Sequence, residues 1–160
     1  MKNDFLDCLK NDDTRPGWDQ IWSEVVRTIE KRSSDPEHKV AAIVVTSDNT
    51  QLLALGYNGD HAGGSNNRES WNPGESGFIH AEVNALIKLD YNNPKKKIMY
   101  VSMSPCKMCA KAIINAGISE VVYRSEYRDS SGIMLLKHAG IRVRQINKEI
   151  AGLSDEKNNL

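Results

Sequence analysis

The second half of this chain alternates short apolar strands with helices, and this alternation restricts the possible folds more than any other feature of the sequence. Its strand segments read IMYVSM, SEVVYR and IRVRQI, and the helical segments between them read PCKMCAKAIINAG and SSGIMLLKHAG. Neighbouring strands that are joined through a helix run parallel, with right-handed crossovers. The second half therefore predicts an α/β fold in which parallel strands are covered by helices.

The first half adds a helix and a hairpin to this arrangement. Apolar residues recur at helical spacing after Pro16 and Gly17, at Trp18, Ile21, Trp22, Val25, Val26 and Ile29. The apolar runs HKVAAIVVTS and QLLALGY flank the turn signal DN, and they predict two antiparallel strands. The whole sheet is therefore expected to be mixed, with helices on both faces in a three-layer α/β/α arrangement.

A chain of 160 residues is long enough for one domain with a sizeable core and short for two. We expect a single domain over 1–160, with a polar N-terminal arm (1–15) and a polar C-terminal tail (147–160). Residues 58–78 are rich in Gly, Asn, Ser and Pro and show no periodicity, which indicates a long loop. Loops of this length within a domain are usually functional.

Charge and cysteine content exclude several classes of function. The sequence has 21 basic and 21 acidic residues, so it lacks the overall positive charge on which non-specific nucleic-acid binding depends. No apolar stretch approaches the length of a membrane span, and no secretory leader is evident. Three cysteines, two of them in a C-x-x-C motif, favour metal or redox chemistry in a reducing cytoplasm. Cys8 is expected to be a lone thiol on the arm.

Two short motifs, HAE at residues 80–82 and SPCKMC at residues 104–109, both stand at the predicted start of a helix. In open sheets with parallel strands, ligand sites gather at such positions. Pro105 is expected to be the first helical residue. Cys106 and Cys109 are three apart, so they share one helix face, and His80 can supply a third ligand. Two thiolates and one imidazole suit zinc, and three protein ligands leave a position for reactive water.

Glu82 is poorly placed to be a fourth ligand but close enough to exchange a proton with water activated by the metal. The motifs also allow other interpretations: a closed structural zinc site, buried core cysteines, a redox C-x-x-C, or a solvated carboxylate at Glu82. Taken together, however, H-x-E followed by P-C-x-x-C is the pattern of zinc-dependent nucleobase deaminases. We therefore expect hydrolytic acid–base chemistry at this site.

Several segments, from about Trp18 to Ile146, resemble the cytidine deaminase superfamily and, within it, the deoxycytidylate (dCMP) deaminases. They read KRSSDPEHKVAAIVV, GYNG, HAEVNAL, MYVSMSPCKMCAKAIINAGI, EVVY and HAGIRV. The resemblance implies a cytidine-deaminase-like fold with a mixed five-stranded sheet. It also implies the hydrolysis of dCMP to dUMP and ammonia, a reaction that supplies dUMP for dTMP synthesis.

The resemblance further implies a role for individual residues. His80, Cys106 and Cys109 would bind one zinc ion per chain, and Glu82 would carry a proton to N3 and then to the departing amine. The backbone at Ala81 and Ser104 would hold the base edge. Asn58 would meet the sugar hydroxyl, although a left-handed turn residue before Gly59 is the alternative for this position. Candidates for the 5′-phosphate contact are Arg32, Ser33, Lys39 and Tyr127, the last together with Arg128.

Assembly and regulation are also implied by the resemblance. Many members of the family are homohexamers that dCTP activates and dTTP inhibits, and Mg²⁺ would accompany such a nucleotide effector. The loop after GYNG is shorter here than in many relatives and lacks the additional histidines and cysteines that hold a second zinc in some viral forms. This difference favours a single zinc ion and leaves effector binding open.

Three functions from different classes remain open at this point. The favoured one is a dCMP deaminase that acts on the free nucleotide. The second is a deaminase of the same superfamily that acts on nucleic acid, like the tRNA adenosine enzymes, or on a free nucleoside. The neutral charge opposes a nucleic-acid substrate. The third is a non-catalytic zinc-binding module, which an intact Glu82 opposes.

Overall fold

The strands and helices that the sequence predicts are present in the computed structural model, which describes residues 15–146. Residues 1–14 of the arm, which include Cys8, lie outside the described residues. The whole tail also lies outside them. In chain order the elements are α1 (Trp18–Glu30), β1 (Ala41–Thr46), β2 (Leu52–Tyr57), α2 (Ala81–Ile87), β3 (Lys97–Met103), α3 (Lys107–Asn115), β4 (Glu120–Ser125), α4 (Ser131–His138) and β5 (Arg142–Gln145).

The five strands form one mixed sheet in the order β2-β1-β3-β4-β5. β1 is antiparallel to both β2 and β3, whereas β3, β4 and β5 run parallel to one another. The predicted hairpin is confirmed, and Asn49 closes its turn with a positive φ of 59° and an N–H donated to the carbonyl of Thr46. The predicted three-layer fold with a mixed five-stranded sheet is therefore confirmed.

Helices cover both faces of this sheet and bury its central strands, whereas the edge strands β2 and β5 are partly exposed. On one face, α1 packs Trp22 and Val26 against Ile43 and Val45 of β1. On the other face, α2, α3 and α4 pack together over alternate residues of the same strands, among them Val44. Every residue of β1 is buried as a result. Each buried Val, Ile or Leu side chain contributes about 1.5–3 kcal/mol relative to exposure, so this layered core stabilises the platform that carries the site.

Two helix boundaries differ from the expectation. The helical spacing of HAEVNALIKLDY predicts a helix that continues to Asp90, but α2 ends at Ile87. Beyond it, Asp90 accepts a hydrogen bond from the amide of Asn92 and so stabilises a turn. α3 begins at Lys107, so Pro105 is not its first residue as the sequence analysis expected. Cys106 is the N-cap instead, because its sulfur accepts the amide hydrogen of Cys109.

The long segment between β2 and α2 contains no helix and no named strand, as predicted. Its two ends are joined by an isolated bridge between Gly59 and Ile79. Over the part of the chain that the structure describes, no helix has both the length and the apolar character that crossing a membrane requires.

Candidate metal centre

The two sequence motifs meet because α2 and α3 begin next to each other on the same face of the sheet. His80 is the N-cap of α2 and has an extended backbone. Cys106 is the N-cap of α3, and Cys109 lies in the first turn of that helix. The loop after β2 and the end of β3 thus deliver an imidazole and two thiols to one place.

Two glycines provide the space for this meeting of helix starts. A Cβ on Gly56 of β2 would overlap the carbonyl oxygen of Ala81 and the amide nitrogen of Ala85, and would stand 2.8 Å from the carbonyl carbon of Asn84. Gly132 of α4 likewise lies against the carbonyl oxygen of Pro105, next to the start of α3. Neither Gly56 nor Gly132 has a positive φ, so close approach, not backbone conformation, requires glycine at both positions. Gly56 thereby allows α2 to pack directly against β2.

His80, Cys106 and Cys109 form a compact set of possible metal ligands. Their ligand atoms all lie within 4.8 Å of one another, and these three residues make up the set among residues 15–146. Nδ1 of His80 is 3.6 Å from Sγ of Cys106 and 3.3 Å from Sγ of Cys109. Neighbouring nitrogen and sulfur ligands of a tetrahedral zinc ion are about 3.6 Å apart, given the usual bond lengths. The donor set and its spacing therefore fit zinc.

The three side chains also shift one another's pKa values through their mutual contacts. Hydrogen bonds from Cys109 and His80 lower the pKa of Cys106 to about 3. The hydrogen bond to Cys106, followed by burial, raises the pKa of Cys109. The contact with Cys106 also raises the pKa of His80, although burial opposes the rise. The lowered pKa favours the thiolate form of Cys106, which is the form that binds zinc, and zinc binding would release the remaining protons.

Glu82 lies beside this set but does not belong to it. Its side chain is almost fully buried, with 4% of the residue exposed, so the alternative of a solvated carboxylate is wrong. Burial raises the pKa of Glu82, and this effect exceeds the opposing influence of nearby hydrogen bonds and of His80. A carboxyl group whose pKa is moved towards neutrality can both accept and donate a proton. Glu82 is thus suited to acid–base work.

These residues open onto a pocket of about 310 Å³. Eight of the predicted site residues line it: Asn58, His80, Ala81, Glu82, Ser104, Cys106, Tyr127 and Arg128. Cys109 is buried and is not part of the lining. Arg32 and Lys39 are exposed and lie outside the lining. Ser33 is buried away from the pocket and accepts a hydrogen bond from the amide of Asp35.

Comparison with known proteins identifies the family of this fold and site. Residues 16–125 match the family model described as the cytidine and deoxycytidylate deaminase zinc-binding region. The chain belongs to this deaminase family. Its candidate ligands and Glu82 all fall within the matched residues.

The deaminase is similar to several relatives along most of its length. It is 33% identical over 153 residues to the deoxycytidylate deaminase of Homo sapiens, which covers 88% of this chain and 85% of the relative. It is 30% identical over 128 residues to the deoxycytidylate deaminase of Mycobacterium phage D29, covering 71% of this chain and 98% of that one. Among solved structures, the dCMP deaminase of cyanophage S-TIM5 in complex with dCMP and dUMP superposes with a TM-score of 0.71. That structure is 31% identical and covers 82% of this chain and 98% of its own.

Asn58 is held in one orientation inside the deaminase pocket. Its Nδ2 donates to the carbonyl of His38 at 2.8 Å and to Oδ2 of Asp35 at 3.3 Å. Its Oδ1 accepts the amide hydrogen of Val40 at 2.9 Å. Asn58 does not have a left-handed backbone, so the alternative of a simple turn residue is wrong.

The far end of the pocket is formed by the loop between β4 and α4. The amide of Tyr127 donates to Oγ of Ser104 at 2.7 Å, which attaches this loop to the end of β3. The guanidinium of Arg128 lies 5.3 Å from the centre of the Tyr127 ring. A Cβ at Gly74 of the long loop would stand 2.8 Å from Nη2 of Arg128 and 3.7 Å from the hydroxyl oxygen of Tyr127, so the long loop lies against both residues. Within residues 15–146, no carboxylate is at ion-pair distance from Arg128.

Sequence reasoning missed four charged residues of the pocket wall, Asp35, Glu37, Arg68 and Glu126, and two of these, Asp35 and Arg68, form an ion pair. Arg68 donates from Nη1 to Oδ1 of Asp35 at 2.7 Å, and both side chains are at most 5% exposed. Arg68 stands in a loop without periodicity, 33 positions from its partner. No local pattern in the sequence indicates that the two residues meet.

Proposed function

We propose that this deaminase hydrolyses dCMP to dUMP and ammonia, and so supplies dUMP for dTMP synthesis. The observation that carries the proposal is the shared pocket of a three-residue zinc-ligand set and the buried carboxyl of Glu82. A non-catalytic zinc module would have no use for a buried carboxyl beside its ligands, since burial of an unpaired acid is costly. The similarity to deoxycytidylate deaminases supports the choice of substrate.

His80, Cys106 and Cys109 would hold the zinc ion. When bound, zinc supplies the Lewis acidity that makes water nucleophilic near neutral pH. Glu82 would take a proton from the attacking water and pass it to N3 of the cytosine ring. It would then transfer the second proton to the amino group as the bond from C4 to that nitrogen breaks. One water is consumed and one ammonia leaves, so dCMP becomes dUMP.

Backbone groups next to the ligands would orient the base. Ala81 is the first residue of α2, so its N–H has no acceptor within the helix and can donate to the base edge. The N–H of Ser104 is already donated to the carbonyl of Ser125 at 2.8 Å. Ser104 can therefore offer its carbonyl oxygen, which would accept a hydrogen bond from the amino group of the base.

The 5′-phosphate would be bound by Arg128 and the hydroxyl of Tyr127. Arg128 supports this assignment because it faces the pocket without a carboxylate partner among residues 15–146, whereas Arg68 is neutralised by Asp35. Unpaired guanidinium groups bind phosphate oxygens well. Arg32, Ser33 and Lys39 were candidates for the same role, but their positions outside the pocket lining favour Tyr127 and Arg128 instead.

The remaining parts of the proposal concern the setting of the enzyme. We infer a single domain that acts in the cytoplasm and assembles as a homo-oligomer, with a hexamer as the expected form. Regulation by dCTP and dTTP, with Mg²⁺ bound to the effector, belongs to the same proposal. The balanced charge supports a free nucleotide as substrate instead of nucleic acid.

A substrate panel tests the proposal. The purified protein is incubated with dCMP, deoxycytidine, dCTP, single-stranded DNA and tRNA, and ammonia release is measured. We expect release from dCMP at a rate well above that from every other substrate. Release mainly from deoxycytidine would favour a nucleoside deaminase, and release from DNA or tRNA would favour a nucleic-acid enzyme. No release from any substrate, with zinc firmly bound, would support the non-catalytic module.

A further inference from the structure

Arg68 is a buried cation in the pocket wall that is fixed from several sides. Its Nη1 is 2.7 Å from Oδ1 of Asp35, and its Nε donates to the carbonyl of Ser70 at 3.2 Å. The ring centre of Trp71 lies 5.2 Å from its guanidinium carbon. Because Arg68 belongs to the long loop and Asp35 precedes β1, their ion pair fastens the loop to the body of the protein.

Asp35 links this ion pair to the substrate pocket. Its Oδ1 also accepts the amide hydrogens of Glu37 at 2.9 Å and His38 at 3.4 Å, while its Oδ2 accepts from Nδ2 of Asn58. Burial raises the pKa of Asp35, but the hydrogen bonds from Glu37, Arg68 and His38 together outweigh burial and lower it. Asp35 is therefore ionised at neutral pH and can only accept hydrogen bonds. Of the two polar atoms in the Asn58 side chain, it can bond to Nδ2 and not to Oδ1.

The hydrogen bonds of Asn58 leave a single type of contact for a ligand. Both hydrogens of Nδ2 are taken, one by His38 and the other by Asp35. Oδ1 accepts from Val40, which leaves one further lone pair on that oxygen. Asn58 can therefore accept a hydrogen bond from a ligand in the pocket, but it cannot donate one.

We propose that Arg68 is a positioning residue for sugar recognition, which acts through Asp35 to hold Asn58 as an acceptor for the 3′-hydroxyl of the substrate. The inference rests on the proposed function, because in dCMP the 3′-hydroxyl is the free donor of the sugar. Without Arg68, Asp35 loses its cationic partner. Nδ2 of Asn58 then no longer has a hydrogen-bond acceptor that is held in a fixed position. The position of the long loop is thereby coupled to recognition of the 3′-hydroxyl of the sugar.

The test compares dCMP with 2′,3′-dideoxycytidine monophosphate, which lacks the 3′-hydroxyl, in the full-length zinc-loaded protein. For the unaltered protein we expect kcat/KM to favour dCMP by about fivefold to tenfold, the range of one neutral hydrogen bond. In Arg68→Gln we expect this ratio to fall towards one, mainly through a higher KM for dCMP. Arg68→Lys keeps the positive charge but not the planar fork, and should give an intermediate ratio.

Controls separate this role from a general loss of structure. Lys111→Gln removes an exposed charge on α3, far from the ion pair in sequence and outside the pocket lining, and should keep the ratio of the unaltered protein. A purely structural role for Arg68 would lower kcat/KM for both substrates equally and preserve the ratio. A preserved ratio in folded Arg68→Gln would overturn the inference, and Arg68→Lys decides in the same way if the first variant does not fold. Failure of the proposed function is distinct, because the unaltered protein would then release no ammonia from dCMP.

Discussion

Gly132 of α4 lies directly against the carbonyl group of Pro105, and a Cβ at this glycine would overlap that oxygen and stand 2.9 Å from the carbonyl carbon of Cys106. The atoms that such a Cβ would contact belong to the backbone, so they cannot move aside as the end of a flexible side chain can. The close approach of α4 therefore restrains Cys106, which is the N-cap of α3 and a candidate zinc ligand. We expect packing between these helices to affect metal binding through this contact.

The first prediction follows from this contact. We expect Gly132→Ala to lower the free energy of unfolding by about 1–3 kcal/mol, the usual cost of overpacking, and to weaken zinc binding because Cys106 is displaced. Urea denaturation and titration with a zinc chelator measure the two effects. Gly17→Ala serves as a control, since Gly17 has open space around it and a negative φ of -65°, and it precedes α1 on the other face of the sheet. Unchanged stability and zinc affinity in Gly132→Ala would show that α4 does not constrain Cys106.

The second prediction concerns the ligands themselves. Cys106→Ser should weaken zinc binding by at least about 100-fold, because even residues that only support metal ligands contribute about 10–100-fold. The thermal midpoint should fall in parallel, since metal binding stabilises the folded chain. Met108→Ala is the matched control, because Met108 lies in the same helical turn but is 69% exposed. Full zinc content in Cys106→Ser would contradict its assignment as a ligand.

The third prediction concerns the phosphate. Arg128→Gln should raise KM for dCMP by about 10-fold or more, because a charge-assisted contact with the phosphate is lost. The much slower reaction with deoxycytidine, which has no phosphate, should be unaffected. Arg32→Gln removes an exposed cation outside the pocket lining and should leave both reactions unchanged. An equal loss with dCMP and deoxycytidine would indicate that Arg128 does not bind the phosphate.

The fourth prediction uses the pH dependence of the ion pair between Asp35 and Arg68. The pKa of Asp35 is lowered in the folded protein, so its stabilising contribution is complete above the unfolded pKa near 3.8 and is lost as pH falls through the folded pKa. At pH 7, Asp35→Asn should lower the free energy of unfolding by about 1.5–3 kcal/mol, the range of a hydrogen bond to a charged group, because Arg68 then keeps, within the described part of the chain, only Glu37, 3.7 Å away, as a carboxylate partner.

Denaturation curves at a series of pH values check this expectation. The difference in unfolding free energy between the unaltered protein and Asp35→Asn should be constant near neutral pH and should shrink below about pH 4. Glu24→Gln is the control, because Glu24 is exposed on α1 and its loss leaves no buried charge. A difference that grew as the pH fell would have the wrong sign for this account.

Much of the fold could be predicted from the sequence because its signals are local. The period of the apolar residues in α1, the turn after β1 and the alternation of strand and helix each depend on a few neighbouring residues. The candidate zinc ligands could be found for the same reason, since HAE and PCKMC each stand at the start of a helix. Placing the two motifs together required only the general rule about ligand sites at strand ends.

The rest of the site depends on contacts between distant segments, which no local pattern in the sequence indicates. Arg68 stands in a loop without periodicity, and its pairing with Asp35 is a property of the folded loop. Arg32 and Lys39 were reasonable phosphate candidates by charge, yet both are exposed outside the pocket lining. The role of Gly132 is visible only when the position of Pro105 is known. Close packing and long-range pairing, not residue type, decide these positions.

The most direct test of the account compares the unaltered protein with Glu82→Gln at equal zinc content, with dUMP formation from dCMP as the measurement. The account predicts that both proteins hold one zinc ion per chain, because Glu82 is not a ligand. The variant should be slower by at least about 100-fold, because it lacks the group that transfers protons. A zinc-loaded variant that forms dUMP at the rate of the unaltered protein, or a variant that has lost its zinc, would contradict the account.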